Sequence, residues 1–521
     1  MTGFALLLAG AAVGLGIAHF MRLPSIPLLL VVGALLGFTG AVPPELLQDA
    51  IVLGVTFLVF FAGLELNPER VGEQRRAVLW VGLVQFFVLG VTGLAVALAL
   101  GHDLTAALYL ALAMTASSTL VVVRLLQSRQ QLFEPFGRLV LGVLLLQDLA
   151  IILLIPVVTR LPEGSWAVVE GLLAAGGLAG AALLFARLGG PRLALSFRHD
   201  EETLLLVVLG VLFAFIAAAS FLGLPLIAGA FLAGVALSPF PTGLVVRGPL
   251  LSLSDFFLAI FFVALGGLVG RPDLIALGQS LVFVVLLIVV TPIVVTAVAE
   301  RMGLSTRPAV ESGLLLAQAS EFSLVVGLWG LMAGQISVRV FTTVALVTVI
   351  TMLLTPFIGT DRVTWRLMRL HPLRREPEIV DPPSDHILLL GCGDSGMPLL
   401  ETLIASGHQM VVVDDDAAII ERLQDGDVPC VRGDGSDRDV LERVGARNAR
   451  LIISTIRRAH DNAEVLRFAA GVPTVVRVFD GASADLISSL GGTPVVYGDA
   501  GADGFLDWFT RSGVTAESRQ G

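Results

Sequence analysis

Up to about residue 360, apolar runs of about 20 residues alternate with short polar breaks. Each run is long enough to cross roughly 30 Å of hydrocarbon as a helix. Thirteen such runs stand at 4–21, 24–40, 48–66, 77–100, 104–126, 137–159, 166–188, 203–222, 224–239, 253–270, 275–300, 308–332 and 338–358. The first lacks a basic leader and other spans follow at once, so it reads as a span and not as a signal peptide. Past residue 385 the period changes. Short apolar runs at 386–390, 410–413, 429–432, 450–454 and 474–479 alternate with helical stretches, the pattern of a parallel α/β sheet. The expected organisation is a transmembrane region over 1–358, an arginine- and proline-rich linker over 359–385, a Rossmann-like domain over 386–510 and a disordered tail over 511–521.

The polar breaks set an orientation. With the N-terminus outside, thirteen loop arginines face inward (among them Arg75, Arg76, Arg124, Arg138, Arg301 and Arg307) and three, Arg160, Arg271 and Arg339, face outward. The positive-inside rule then leaves the C-terminal domain in the cytoplasm. The apolar runs also repeat. Leu23-Pro24-x-Ile26 with Gly33 returns as Leu224-Pro225-x-Ile227 with Gly234, and Phe60-Phe61 returns as Phe261-Phe262, both 201 residues later. Ala116-Ser117 returns as Ala319-Ser320 at an offset of 203, and Leu153-Leu154-x-Pro156 as Leu353-Leu354-x-Pro356 at 200. Each offset covers seven spans, an odd number. The expected membrane fold is therefore two six-helix repeats of opposite topology, the pattern of secondary transporters.

Composition agrees. Of 521 residues, 55% are hydrophobic and 15% charged, against roughly 25% charged in soluble domains. A net charge of −10 argues against nucleic-acid binding, which needs a basic surface. No lysine occurs, and Cys392 and Cys430 both fall in the last quarter, so no disulfide framework exists.

Against this background, two carboxylates stand out. Asp148 is mid-span in the sixth run, beside Gln147, where a charge needs a partner, a wet cavity or a function. One reading is a protonated Asp bonded to a neighbouring helix. The other is a carboxylate that alternately holds a proton and a bare cation. Glu321 lies mid-span within Gln318-Ala319-Ser320-Glu321, at the repeat position of Ser118 in Ser117-Ser118-Thr119. Hydroxyl clusters compete for the backbone and loosen helices. Interrupted helices at matching places in two repeats point to a transporter site, although the same cluster would also suit tight helix packing. Glu65, near a span end, is expected to be structural.

In the last quarter, Gly391-Cys392-Gly393-Asp394-Ser395-Gly396 follows a strand and opens a helix, and Asp414 ends the next strand. Glycines permit close backbone approach, a helix N-terminus favours phosphate, and the acid accepts from ribose hydroxyls. The two cysteines could sense redox state, but buried structural thiols are the commoner case.

The order Gly63-Leu64-Glu65-Leu66, Ser117-Ser118-Thr119, Gln147-Asp148, Gln318-x-Ser320-Glu321-Phe322, then a glycine-rich soluble domain, resembles the monovalent cation:proton antiporter-2 family. Within it, the chain is most similar to the Kef-type potassium/proton antiporters. The resemblance implies a thirteen-helix homodimer of the bacterial inner membrane, with a dimerisation domain and a mobile core around two crossed, partly unwound spans, the fifth and twelfth. Asp148 would carry the cation, potassium, and the proton, with Gln147, Ser117, Ser118, Thr119, Gln318, Ser320 and Glu321 around it. Relatives that exchange sodium electrogenically carry paired acids where Gln147-Asp148 stands, so one cation per proton is expected here. The alternatives are a sodium/proton antiporter and a nucleotide-gated channel, but no Thr-Val-Gly-Tyr-Gly filter is present. No substrate domain for hydride chemistry is recognisable, so an enzyme is not expected.

Gly433-Asp434 resembles the adenine-contacting pair of the regulator-of-potassium-conductance (RCK) fold, and Arg477 fits the same pattern. With Gly391, Gly393, Asp394, Ser395, Gly396, Asp414 and Asp415 they form the expected nucleotide site, for AMP first and NAD(H) or ATP otherwise. Asp394 replaces a common arginine and would repel phosphate, with Arg457 or Arg458 nearby to compensate. Glutathione-gated relatives carry an acidic loop before span ten. Here that stretch reads Arg247-Gly-Pro-Leu-Leu-Ser-Leu-Ser254-Asp255, which argues against glutathione control.

Overall fold

The computed structural model describes residues 2–511 apart from 22, 66–74, 130, 133–134, 161–163, 197–200, 239–241, 305, 361–362, 365, 368–384 and 394–395. Two compact units result, one from Met1–Met302 and Pro308–Arg369, the other from Gly303–Arg307 and Leu370–Gly521. Most of the linker, the tail beyond Arg511, and Asp394 and Ser395 of the expected nucleotide site lie outside the described residues.

Among the described residues, the regular structure of the first unit is all helix. It runs α1 (Thr2–Met21), α2 (Ser25–Thr39), α3 (Pro44–Glu65), α4 (Arg75–Ala99), α5 (Leu104–Ala113), α6 (Thr119–Ser128), α7 (Pro135–Arg160) and α8 (Ser165–Ser196). It continues with α9 (Glu201–Phe221), α10 (Leu226–Leu237), α11 (Thr242–Gly267), α12 (Leu274–Arg301), α13 (Thr306–Leu315), α14 (Glu321–Met332) and α15 (Val338–Ile358). Among the described residues, eight helices are long and apolar enough to cross a membrane. The runs read as 104–126 and 308–332 are each broken in the middle, into α5–α6 and α13–α14. At both breaks a serine hydroxyl restarts the helix. Ser118 accepts from the Val121 N–H at 3.3 Å, and Ser320 accepts from the Phe322 N–H at 3.0 Å. Each helix restarts directly after its capping serine, so that Thr119 is the first residue of α6 and Glu321 the first of α14.

The helices pack as two groups. In the first, α1 lies on α2, α2 and α3 on α11, α3 on α10, and α10 on α8 and α9. In the second, α4 lies against α5, α7 and α12, while α14 lies against α5 and α15. Two crossings in the first group bring backbones into contact. A Cβ at Gly234 would sit 2.1 Å from the Phe60 carbonyl oxygen, and one at Gly63 would sit 2.2 Å from that of Phe231. Likewise, a Cβ at Gly33 would meet the Val263 carbonyl at 2.1 Å, and one at Gly266 the Leu30 carbonyl at 2.2 Å. Only hydrogen fits there.

The second unit alternates β1 (Ile387–Leu390), α16 (Met397–Ala405), β2 (Met410–Asp414), α17 (Ala417–Asp425), β3 (Cys430–Arg432), α18 (Arg438–Arg443) and β4 (Leu451–Ser454). Then follow α19 (Ala459–Phe468), β5 (Thr474–Val478), α20 (Gly481–Ser489), β6 (Thr493–Val496) and α21 (Tyr497–Arg511). The sheet is parallel in the order β3-β2-β1-β4-β5-β6, with Leu390 of β1 level with Val413 of β2 and Ser454 of β4. Apolar side chains cover both faces. Leu388, Val411 and Ile452 pack under Leu441 and Val465, while Leu389 and Val412 pack under Leu400 and Ile420. The sequence pattern predicts five strands, and the sheet has six among the described residues. The sixth is short and contains Pro494, which a sheet tolerates at its edge but which weakens the strand pattern.

The backbone crossings allow a test. Gly234→Val should overpack the α3–α10 crossing and cost at least about 3 kcal/mol, the upper end of ordinary overpacking, because the obstacle is backbone. Gly176→Ala, with no neighbour within 4 Å, should leave thermal stability in detergent unchanged.

Candidate functional site

The two breaks meet. Ser117 in the first donates its hydroxyl to the Leu316 carbonyl in the second at 2.6 Å, and Ser323 donates back to the Ala113 carbonyl at the end of α5. Each broken helix thus offers a carbonyl to a hydroxyl of the other, the Leu316 carbonyl accepting the Gln318 N–H at 2.9 Å as well, which helps meet the condition for irregular backbone inside a membrane protein. Gln147 fixes the first break from α7, its Oε1 accepting the Ser117 N–H at 3.0 Å. Thr351 fixes the second from α15, its hydroxyl accepting the Ala319 N–H at 3.0 Å. Thr355, one turn on, lies 3.0 Å from Gln318 Oε1.

Asp148 lies against this crossing, 5% exposed. Thr119, the first residue of α6, donates to its Oδ2 at 2.9 Å. Glu321, the first residue of α14 and 2% exposed, is within hydrogen-bonding reach of the Ser118 hydroxyl and the Leu120 N–H. It therefore stands at the N-terminal end of α6, where the helix dipole favours an anion. Asp148 Oδ1, Gln147 Nε2 and Glu321 Oε2 are buried with no hydrogen-bond partner among the described residues. Ser117, Ser118, Thr119, Gln147, Asp148, Gln318, Ser320 and Glu321 are all buried. Sequence reasoning missed Ser323, Thr351 and Thr355. Thr348, Thr351 and Thr355, spaced three and four residues apart along one face of α15, were the available signal.

In the second unit the glycine turn lies at the C-terminal end of β1, where β2 and β4 leave it on opposite sides, the switch point at which such sheets bind ligands. Gly391 has φ +82°, a conformation that favours glycine. Gly396 lets α16 close onto the turn, since a Cβ there would stand 2.5 Å from the Gly391 carbonyl. Among the described residues, a Cβ at Gly393 would meet nothing nearer than 4.0 Å, which leaves space for a ligand on that side of the turn. Asp414 accepts from the Cys392 N–H and, at 2.9 Å, from the Asp416 N–H. Burial lifts its pKa above the ordinary value, with these bonds acting the other way. Asp415 beside it is exposed. Gly433 donates its N–H to the Asp414 carbonyl at 2.9 Å. Arg477 on β5 donates to the Thr455 carbonyl, and the Thr455 hydroxyl donates to that of Gly391 at 2.9 Å. Cys392 is fully buried and its thiol is pushed up to about 11, first by burial and then by Asp414, so it is protonated at neutral pH.

Asp434 is engaged by a residue the sequence did not suggest. Arg307, in the short segment that belongs to this unit, donates to Asp434 at 2.9 Å, to the Ser436 hydroxyl at 3.1 Å and, through both Nη atoms, to Asp461 at 3.0 and 2.9 Å. The guanidinium is only 4% exposed. Burial raises Asp434, but Arg307 and Ser436 outweigh it and hold its pKa below the ordinary value. Asp461 lies above the ordinary value, first from burial and further from Asp434.

Residues 4–360 match the family described as "Sodium/hydrogen exchanger, transmembrane", about two-thirds of the chain. The chain belongs to that family. Residues 387–500 match the TrkA-N domain. Among curated relatives, the glutathione-regulated potassium-efflux system protein KefC of Shigella flexneri serotype 5b is 28% identical over 477 residues, covering 88% of this chain and 76% of the relative. KefC of Escherichia coli K12 is 27% identical with the same coverage. The solved structure of the sodium proton antiporter MjNhaP1 from Methanocaldococcus jannaschii aligns with a TM-score of 0.56 at 16% identity, over 70% of this chain and 99% of that one, and shares its membrane fold. The chain is thus an antiporter with a TrkA-N domain, not an enzyme.

Arg307→Gln should leave two buried carboxylates facing each other without the cation that bridges them. Breaking such a cluster costs about 3 kcal/mol, so the melting temperature at pH 7 should fall. The loss should shrink toward pH 5, because protonating one acid relieves the repulsion. A melting temperature that matches wild type at both pH values would discount the cluster.

Proposed function

We propose that the protein exchanges potassium for protons, one for one, through Asp148. The observation that carries this reading is a mid-helix carboxylate with one oxygen held by Thr119 and the other unpartnered, beside a second carboxylate, Glu321, in the same state. Such groups are costly in a membrane protein unless they serve an ion or proton path. Ser117, Ser118, Gln147, Gln318 and Ser320 hold the two helix breaks in register, and Thr119 orients Asp148. Gln147 has its carbonyl committed to the Ser117 N–H. It therefore supports the site through the backbone, leaving Asp148 and Glu321 as the groups that face the cargo. Potassium is taken from the KefC relatives.

In this reading the membrane region has thirteen spans, with α5–α6 and α13–α14 each counting as one. The N-terminus is outside and the TrkA-N domain cytoplasmic, as the loop arginines favour. Two inverted repeats are supported by the backbone crossings: Gly33 meets Gly266, Gly234 meets Gly63, and Gly33 and Gly234 are 201 residues apart, as are their neighbours Leu30 and Phe231. The helix group containing α2, α3, α10 and α11 is the fixed scaffold of a homodimer in the bacterial inner membrane. The group built on the broken helices moves and exposes Asp148 to either side.

An adenine nucleotide, AMP before NAD(H) or ATP, is the proposed regulatory ligand. The Gly391–Gly396 turn would hold its phosphate and Asp414 its ribose, with Arg477 near the turn. Asp434 is already bound by Arg307, so a ligand contact there would compete with that arginine. Control by glutathione is not part of the proposal.

In proteoliposomes, Asp148→Asn should lower potassium-driven proton movement at least about a hundredfold, the scale for removing an essential proton carrier, with folding intact by gel filtration. Exchange at the wild-type rate would remove Asp148 from the mechanism. In the wild type, an imposed membrane potential without a cation gradient should move no protons. Proton uptake that follows the potential would rule out the one-for-one stoichiometry.

A further inference from the structure

Two cavities adjoin at the N-terminal end of α2. The outer, about 650 Å³, is lined by Leu15, Ala18 and His19 of α1 together with Leu23, Ser25 and Arg124. The inner, about 200 Å³, reaches Leu120 and Val121, the residues that follow Thr119, which holds Asp148. Leu23, Ser25 and Arg124 line both cavities and so stand between them. Arg124 projects from α6 and donates to the Ser25 hydroxyl on α2 at 3.0 Å. That neutral oxygen is its partner, and among the described residues no carboxylate pairs with it. A positive charge with no carboxylate partner among the described residues therefore lies where the two cavities meet, beside the residues that follow Thr119.

We propose that Arg124, held by Ser25, is an electrostatic gate on the cytoplasmic cation route. The inference rests on the antiporter reading and its orientation. A cation moving from the outer cavity to the inner must pass the exposed guanidinium, which repels it at short range. A neutral solute of the same size is not repelled. The Ser25 bond joins α6, which carries Thr119, to α2, which packs on α11. It ties a helix of the ion site to the other helix group, so displacement of α6 relative to α2 would break the bond and draw the charge away from the route. Arg124 sets access to the site and is not a ligand of the ion.

Labelling kinetics can test the gate without using transport. In a full-length background with Cys392→Ala and Cys430→Ala, Leu120→Cys places a thiol on the inner cavity. Purified protein is reacted with a cationic and a neutral methanethiosulfonate of similar size, and the ratio of the two rates is read. Adding Arg124→Gln should raise that ratio about tenfold, the lower end of charge-focusing effects in clefts. Adding Arg124→Lys should leave it near the parent value. In about 1 M salt, where the screening length falls to about 3 Å, the difference should largely vanish. An unchanged ratio in Arg124→Gln, or equal acceleration of both reagents, would overturn the gate, the second result showing a steric plug instead. In proteoliposomes the same substitution should lower the cytoplasmic potassium KM severalfold, and an unchanged KM would count against the proposal. If wild-type protein exchanges no cation at all, the antiporter reading fails, while the labelling ratio still judges the gate. Should Arg124→Gln not fold, Ser25→Ala, which frees the guanidinium without removing it, should raise the ratio by a smaller factor. No rise would overturn the role of the bond.

Discussion

A backbone amide or carbonyl inside a membrane protein has little water to turn to, so a helix can be interrupted there only if something else supplies its hydrogen bonds. This chain meets the requirement by reciprocity. The Ser117 hydroxyl serves the Leu316 carbonyl of the second break, and the Ser323 hydroxyl serves the Ala113 carbonyl of the first. Each break lends the other one hydrogen bond. The crossing brings Thr119 to Asp148 and Glu321 to the start of α6. Other features of the membrane site depend on it: the serine caps, the glutamine and threonine props, and the pairing of two carboxylates from different spans.

The spans were legible because length and hydrophobicity alone define them, and α15 runs over the predicted 338–358. The breaks were legible too, because hydroxyl side chains cluster at both, Thr115, Ser117, Ser118 and Thr119 at the first and Ser320 and Ser323 at the second. What the sequence could not show was which hydroxyl bonds which carbonyl. Ser117 and Leu316 are 199 residues apart, and a pair at that separation leaves no local pattern. The props Thr351 and Thr355 are hidden for a related reason. Threonine in a membrane helix usually bonds back to its own preceding turn, and both do so here in addition to supporting the break.

In the second unit the glycine turn and the acid at the end of β2 follow from the local pattern, because each is dictated by backbone geometry within a few residues. Arg307 does not. It lies in the first turn of α13, beside Pro308, 127 residues from Asp434 and 154 from Asp461. Its position among thirteen inward-facing arginines made it look like one more topological charge. Its guanidinium instead makes a two-pronged contact that a lysine could not reproduce, since the fork matches the two oxygens of Asp461. With no lysine in the chain, this cation and the one at Arg124 are both permanent.

The glycine crossings on α2, α3, α10 and α11 have a consequence for how the protein meets lipid. Ordinary membrane helices adjust to a thinner or thicker bilayer by tilting, and tilt needs side chains that can slide over one another. At Gly33, Gly63, Gly234 and Gly266 the contacts are backbone on backbone, and no side chain remains to yield. These four helices therefore present a fixed hydrophobic height. A mismatch in thickness must be taken up by the lipid around them or by helices outside this group, so the acyl-chain length of the host membrane becomes a variable that acts on this protein unevenly.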